Sequence, residues 1–145
     1  MNHAELMASL DGELKTLPGV LQGSDRADFR SAFEHVFSTD EAKNAISVVY
    51  VWSTRTPVPR VKAKSNILYI GKTITSLFHR HYKYASTEAG GNEDYNWKRY
   101  EYIIKTYGPI TISYVAHSQP EEAEGALLKC YFNEHLEMPP LNRKR

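Results

Sequence analysis

Apolar positions recur at helical spacing through "HAELMASLDGELKTL" and again through "SDRADFRSAFEHVF", where Ser24 and Asp25 supply a cap, while "STDEAKNAI" opens a third short helix. The period then changes. "AISVVYVW" and "NILYI" are β-branched and aromatic runs, and the stretch between them, "STRTPVPRVKAKS", carries two prolines and four basic residues. That reads as a β-hairpin with a long basic connection. Helical spacing returns from about Thr75 to Tyr84, and "STEAGGNED" is a polar, glycine-containing loop. "YNWKRYEYIIKTYG" is helical and closes at Gly108, and "PITISYVAH" alternates as a third strand. Pro120 stands at a first helical position and starts "PEEAEGALLKCYFNEH", with Leu127, Leu128 and Tyr131 as a core stripe. The pattern predicts an α+β fold: an N-terminal helical extension, then β-β-α-α-β-α around a small three-stranded antiparallel sheet flanked by helices.

A chain of 145 residues with 41% hydrophobic residues supports one domain with its own core. The single cysteine, Cys130, leaves no intramolecular disulfide and no cysteine cluster for zinc; within "LLKCYF" it is expected to be a small buried hydrophobe. Neither a signal peptide nor an apolar run long enough to span a bilayer is present, so a cytoplasmic setting without a membrane partner is expected. The net charge of +1 hides an asymmetry. Residues 1–45 hold 4 Lys/Arg against 8 Asp/Glu, whereas residues 46–145 hold 14 against 9, and residues 46–116 alone hold 10 against 4. The chain divides into an acidic helical extension, 1–45, and a basic body, 46–145, of the kind a polyanion-binding surface requires. The extension has three roles open to it: a regulator docked on the basic surface, an interface for a partner protein or a second copy, or completion of the core, the last being the expectation.

"NILYIGKT" is the stretch that poses a chemical question, because it reads as a buried strand that breaks at Gly71 and is followed at once by Lys72 and Thr73. A glycine there lets the backbone turn sharply and sets both residues beside the tyrosines. A phosphate-loop reading fails, since the position five before Gly71 is Asn66 and not glycine. "VVY" (Val48 to Tyr50) and "YIG" (Tyr69 to Gly71) resemble the signature of the GIY-YIG nuclease superfamily. "YIGKTITSLFHR" resembles that family's segment from second strand to first helix, "EEAEGALLKCYF" its last helix, and "MPPLN" the segment that ends in its asparagine. The resemblance covers residues 46–145. It departs at Val48, where the name has glycine, in the longer connection between the motifs, and at Tyr84, where the family often has histidine; here His79 and His81 flank Arg80 instead.

What the resemblance implies is divalent-metal-dependent endonuclease activity on nucleic-acid phosphodiesters, with DNA the expected polymer. Glu124 would hold Mg²⁺, or Mn²⁺ in its place, as the one protein carboxylate. Tyr50 would accept the proton of the attacking water, with Tyr69 converging on the same point. Arg80 would face the scissile phosphate, Lys72 would add positive charge, and His81 would assist proton transfer or bind phosphate. From charge and aromatics, Arg55, Arg60, Lys62 and Lys64 in the connection and Trp97, Lys98 and Arg99 on the middle helix are substrate-binding candidates. Asn142 is grouped with them, holding backbone or active-site geometry by amide hydrogen bonds. Two other readings compete: a catalytically inactive nucleic-acid-binding module of the same fold, and a protein-interaction domain recruited through the acidic helices.

Overall fold

The computed structural model describes residues 2–90 and 95–142. Helix α1 (His3–Met7) starts where the Asn2 side chain accepts the Glu5 N–H, and it stops ten residues short of the predicted end. Asp-Gly at 11–12 breaks the pattern: Gly12 has φ 153°, and a Cβ there would meet Val115 Cγ1 at 2.7 Å. The chain instead runs on as a two-residue strand, β1 (Lys15–Thr16). Helix α2 (Arg26–Phe37) is capped by Asp25, and α3 (Asp40–Asn44) by Thr39, each accepting a backbone N–H.

The hairpin is longer and its connection shorter than the sequence suggests. Strand β2 covers Ile46–Pro59 and β3 covers Lys64–Ser76, leaving only residues 60–63 between them. Pro57 is accommodated because pairing lapses between Ser53↔Ile67 and Val58↔Ser65, where four residues of β2 lie opposite Asn66 alone, and Pro59 is the last residue of β2, opposite Lys64. A bulge is where a strand tolerates residues that cannot donate to the ladder. The chain continues through α4 (Leu77–His81), a 3₁₀ turn at Tyr82–Tyr84, α5 (Ala85–Glu88), α6 (Tyr95–Tyr107), β4 (Thr111–Ala116) and α7 (Pro120–His135). None of the helices in the described residues is long and apolar enough to cross a membrane.

The sheet has four antiparallel strands in the order β1-β4-β2-β3, not three. The extra strand comes from the segment expected to be helical. Alternation along β2 sends Val48, Tyr50 and Trp52 to one face, against an aromatic cluster of Phe29, Phe33, Phe37 and Tyr100, while Val49 and Val51 meet Leu127 and Tyr131 of α7 on the other. Residues 1–45 complete both layers: three phenylalanines of α2 enter the first and Leu6 and Met7 the second. Each such fully buried side chain contributes about 1.5–3 kcal/mol. On α7 the buried positions are Ala123, Leu127, Tyr131 and His135, so Cys130 falls off the stripe and is exposed, contrary to expectation.

Gly71 does not end a strand. It is paired with Tyr50 in the middle of the hairpin, and it is absent from the positive-φ residues. Glycine is required for a different reason: a Cβ at 71 would sit 2.5 Å from both Cζ and Oη of Tyr50, whose ring occupies that space. At the outer edge of β3, Asn142 closes the ladder as a strand would, its Oδ1 accepting the Ile70 N–H and its Nδ2 donating to the Ile70 carbonyl, both at 2.9 Å. Gly71→Ala is therefore expected to lower stability by about 1–3 kcal/mol, the usual cost of overpacking, with a much smaller loss in a Tyr50→Leu background. Urea unfolding of the four proteins measures this; equal losses in both backgrounds would show that the clash with Tyr50 is not the cause.

Candidate active site

Tyr69, Gly71 and Thr73 share one face of β3, while Ile70 and Lys72 share the other. The register puts Trp52 opposite Tyr69 and Tyr50 opposite Gly71, and the two tyrosine rings lie 5.9 Å apart. Tyr50 is fully buried, and its Oη makes no hydrogen bond of ordinary geometry, although the Tyr69 hydroxyl is close enough to interact with it. Burial, then the neighbouring Tyr69, push the Tyr50 phenol well above its ordinary pKa; Arg80 acts in the opposite direction but does not outweigh them. The phenol is neutral at physiological pH.

Arg80 comes from α4, which Ser76 caps by accepting the His79 N–H. Burial disfavours its charge, but Tyr50, Tyr69 and Tyr84 outweigh burial and raise its pKa. The guanidinium donates toward the Tyr69 hydroxyl, and its Cζ lies 5.9 Å from the Tyr84 ring centroid, a cation–π contact. Tyr84 is the residue that stands where histidine was looked for.

Glu124 sits one turn inside α7 and is half-buried. Burial is the largest influence on its carboxyl and raises the pKa, Glu121 adds to this, and Lys72 and Arg80 pull it down. The same carboxylate also acts on Tyr50. Five of the sequence candidates, Tyr50, Tyr69, Lys72, Arg80 and Glu124, thus belong to one electrostatically coupled group drawn from β2, β3, α4 and α7. No group of three or more His, Cys, Asp or Glu side chains positioned to hold a metal ion occurs among the described residues. The donor set offers one desolvated carboxylate with an acidic neighbour, which fits a largely hydrated Mg²⁺.

The other candidates are not members of this group. His81 is a core residue: its ring stacks on Phe37 at 4.3 Å, its Nδ1 donates to the Leu77 carbonyl at 3.0 Å, and burial lowers its pKa to about 3. Trp97 is 7% exposed and packs on Phe29, so it offers no face to a base. Arg60 is committed to Glu137 and to the Met138 carbonyl. Lys62 and Lys64 are exposed at the hairpin tip, but Lys64 is separated from Lys72 by eight residues of strand, about 26 Å. Arg55 lines a separate groove with Thr16, Asn66 and Thr111. Lys98 and Arg99 are exposed on α6, and only Arg99 reaches the cavity beside the site. Asn142 binds the strand edge next to Tyr69 and Gly71 and so fixes backbone geometry.

That cavity, about 360 Å³, is lined by Tyr69 and Arg80 and by residues of α5 and α6. Its lining includes Tyr84, Glu88 and Tyr100, which sequence reasoning left out. The signal was available, since Arg80, Tyr84 and Glu88 follow one another at four-residue intervals and share one helical side. No protein-family model, curated protein or solved structure matches this chain.

The buried imidazole has a measurable consequence. His81 titrates near pH 3 in the folded state against 6.5 when free, so between those values the unfolded chain binds a proton that the folded chain does not. Stability is present above pH 6.5 and falls as pH falls, by about 2 kcal/mol on reaching about pH 5. His3, also lowered by burial, acts in the same direction. Urea midpoints should drop between about pH 7.5 and about pH 5 in the wild type and drop less in His81→Gln. A midpoint equally pH-dependent in both proteins would contradict a neutral, buried His81.

Proposed function

We propose that the chain is a divalent-metal-dependent endonuclease of the GIY-YIG type, hydrolysing nucleic-acid phosphodiester bonds, with DNA as its substrate. The observation that carries this is the convergence of Tyr50, Tyr69, Lys72, Arg80 and Glu124, five residues from four elements, on one coupled site. The element order from residue 46 onward, β-β-α-α-β-α with α4 and α5 as one broken helical segment, supports the same family arrangement.

Hydrolysis requires a water oxygen to attack phosphorus, the bond to the leaving oxygen to break, the water proton to pass to a base, and the leaving oxygen to be protonated. Arg80 spans two phosphate oxygens and stabilises the charge that grows on them; Tyr84 and Tyr69 hold its guanidinium in place. Tyr69, half-buried and lining the cavity, is the tyrosine that touches the water or a phosphate oxygen. Tyr50 lies behind it as a neutral phenol and positions the Tyr69 hydroxyl; the attacking water's proton passes to that hydroxyl as it releases its own to solvent water, and solvent water protonates the leaving oxygen. Glu124 would hold the Mg²⁺, and Lys72 sets the charge balance around that carboxylate. When bound, the ion activates water and neutralises phosphate charge.

A second reading has its own observation. The raised pKa and full burial of Tyr50 oppose proton acceptance, which favours a binding module that keeps the fold without turnover. Conversion of supercoiled plasmid to nicked and linear forms separates the two. A nuclease cleaves only with Mg²⁺ or Mn²⁺, loses cleavage in Glu124→Ala, and slows by about 10²–10³-fold in Arg80→Ala. A binding module leaves plasmid, single-stranded DNA and RNA intact with either metal, and binds them equally well with Glu124→Ala.

A further inference from the structure

The cavity beside Arg80 is more than the site needs for a phosphate. Its volume of about 360 Å³ is at the small end of pockets that enclose organic ligands, room for one nucleoside and too little for a base pair. Its walls are aromatic on several sides: Trp52 and Tyr69 from the sheet, Tyr84 from the turn after α4, and Tyr100 from α6. Trp52 and Tyr69 meet edge-on at 5.4 Å, while Tyr84 is 39% exposed, its ring beside the Arg80 guanidinium. Such surfaces stack on any base.

Polar groups line the cavity as well: Arg80, Thr87, Glu88, Asn96 and Arg99. The Glu88 Oε2 accepts the Tyr100 hydroxyl at 2.8 Å. An ionised carboxylate has about four acceptor positions, so Glu88 retains capacity to accept further N–H donors. Arg80 and Arg99 are both cationic. The lining therefore offers cations that suit a phosphate and a carboxylate that suits the amino edge of a base.

We propose that this cavity receives one splayed nucleotide, its base stacked between Tyr69 and Tyr84, its amino edge on Glu88 and its phosphate on Arg80 and Arg99. The proposal rests on the nuclease reading and narrows its substrate class: cleavage occurs next to an unpaired nucleotide, and bases with an exocyclic amino group are preferred over thymine or uracil. Arg80, Tyr84 and Glu88 supply one wall as a ladder at four-residue spacing, and Arg99 and Tyr100 supply the other from α6.

Calorimetric titration of the full chain with dGMP, dTMP, deoxyribose 5-phosphate and inorganic phosphate reads the cavity directly, without metal or turnover. dGMP should bind about tenfold or more tightly than dTMP or the abasic sugar phosphate. Glu88→Gln, which keeps an acceptor for Tyr100, should remove the preference over dTMP, and Tyr84→Ala, at an exposed position, should weaken dGMP about tenfold. Equal affinity for dGMP and deoxyribose 5-phosphate, or a preference for dGMP unchanged in both variants, overturns the proposal. Cleavage of a duplex with one unpaired nucleotide, compared with the fully paired duplex, gives the second readout. Faster cutting of the unpaired substrate supports the proposal, and equal cutting of both overturns it while the nuclease reading stands. Base-selective binding with no cleavage of any substrate overturns the nuclease reading and leaves the cavity's ligand class in place.

Discussion

The ring of Tyr50 lies directly over the backbone of Gly71 on the neighbouring strand, so close that no side chain fits at 71. That contact locks the pairing of β2 with β3, because a slip of one residue would drive a Cβ into the phenol. Register in turn sets everything at the site. It puts Tyr69 opposite Trp52, sends Lys72 to the α7 face, and leaves the Tyr50 hydroxyl buried among Tyr69, Arg80 and Glu124 without a hydrogen-bond partner. A buried hydroxyl left unbonded is costly. Here the cost is borne where the two strands and two helices meet.

The aromatic layer beneath the sheet explains why residues 1–45 belong to the same core. Phe33 and Phe37 of α2 pack against Trp52 and His81, and His81 contacts Tyr50 edge-on at 4.9 Å. The acidic segment is thus connected to the site through packed rings, and one of its carboxylates, Glu41, bonds to the Tyr114 hydroxyl of β4. His81, held neutral in this layer, packs against the tyrosine ring; the positive charge acting on Glu124 comes from Lys72 and Arg80.

Much of this was legible in the sequence, and the misreadings share a cause. Periodicity identified α2, α6, β4 and α7 because each has one buried stripe and a cap or breaker at its ends. Tyr50, Tyr69, Arg80 and Glu124, named from local motifs, and Lys72, named from its place after Gly71, lie near enough to influence one another's charge. What could not be read was which surface each residue faces. Gly71 was taken for a turn because a glycine needed for close approach and one needed for its φ look alike in a sequence. Arg60 was counted as a free cation because Glu137 is remote in the chain, and Trp97 as a stacking surface because its partner Phe29 lies in the segment set apart as an extension. Prolines 57 and 59 suggested a loop, whereas a four-residue bulge admits Pro57 into the strand and Pro59 stands at its end.

The central claim is that Tyr69, Arg80 and Glu124 act as one unit on one phosphate. Single-turnover cleavage rates for Arg80→Ala, Glu124→Ala and the double variant test it most directly, since groups that work as a unit are strongly non-additive. A double variant no slower than the slower single variant is the expected result. Cleavage at the wild-type rate in either single variant, or losses that multiply in the double, would contradict it.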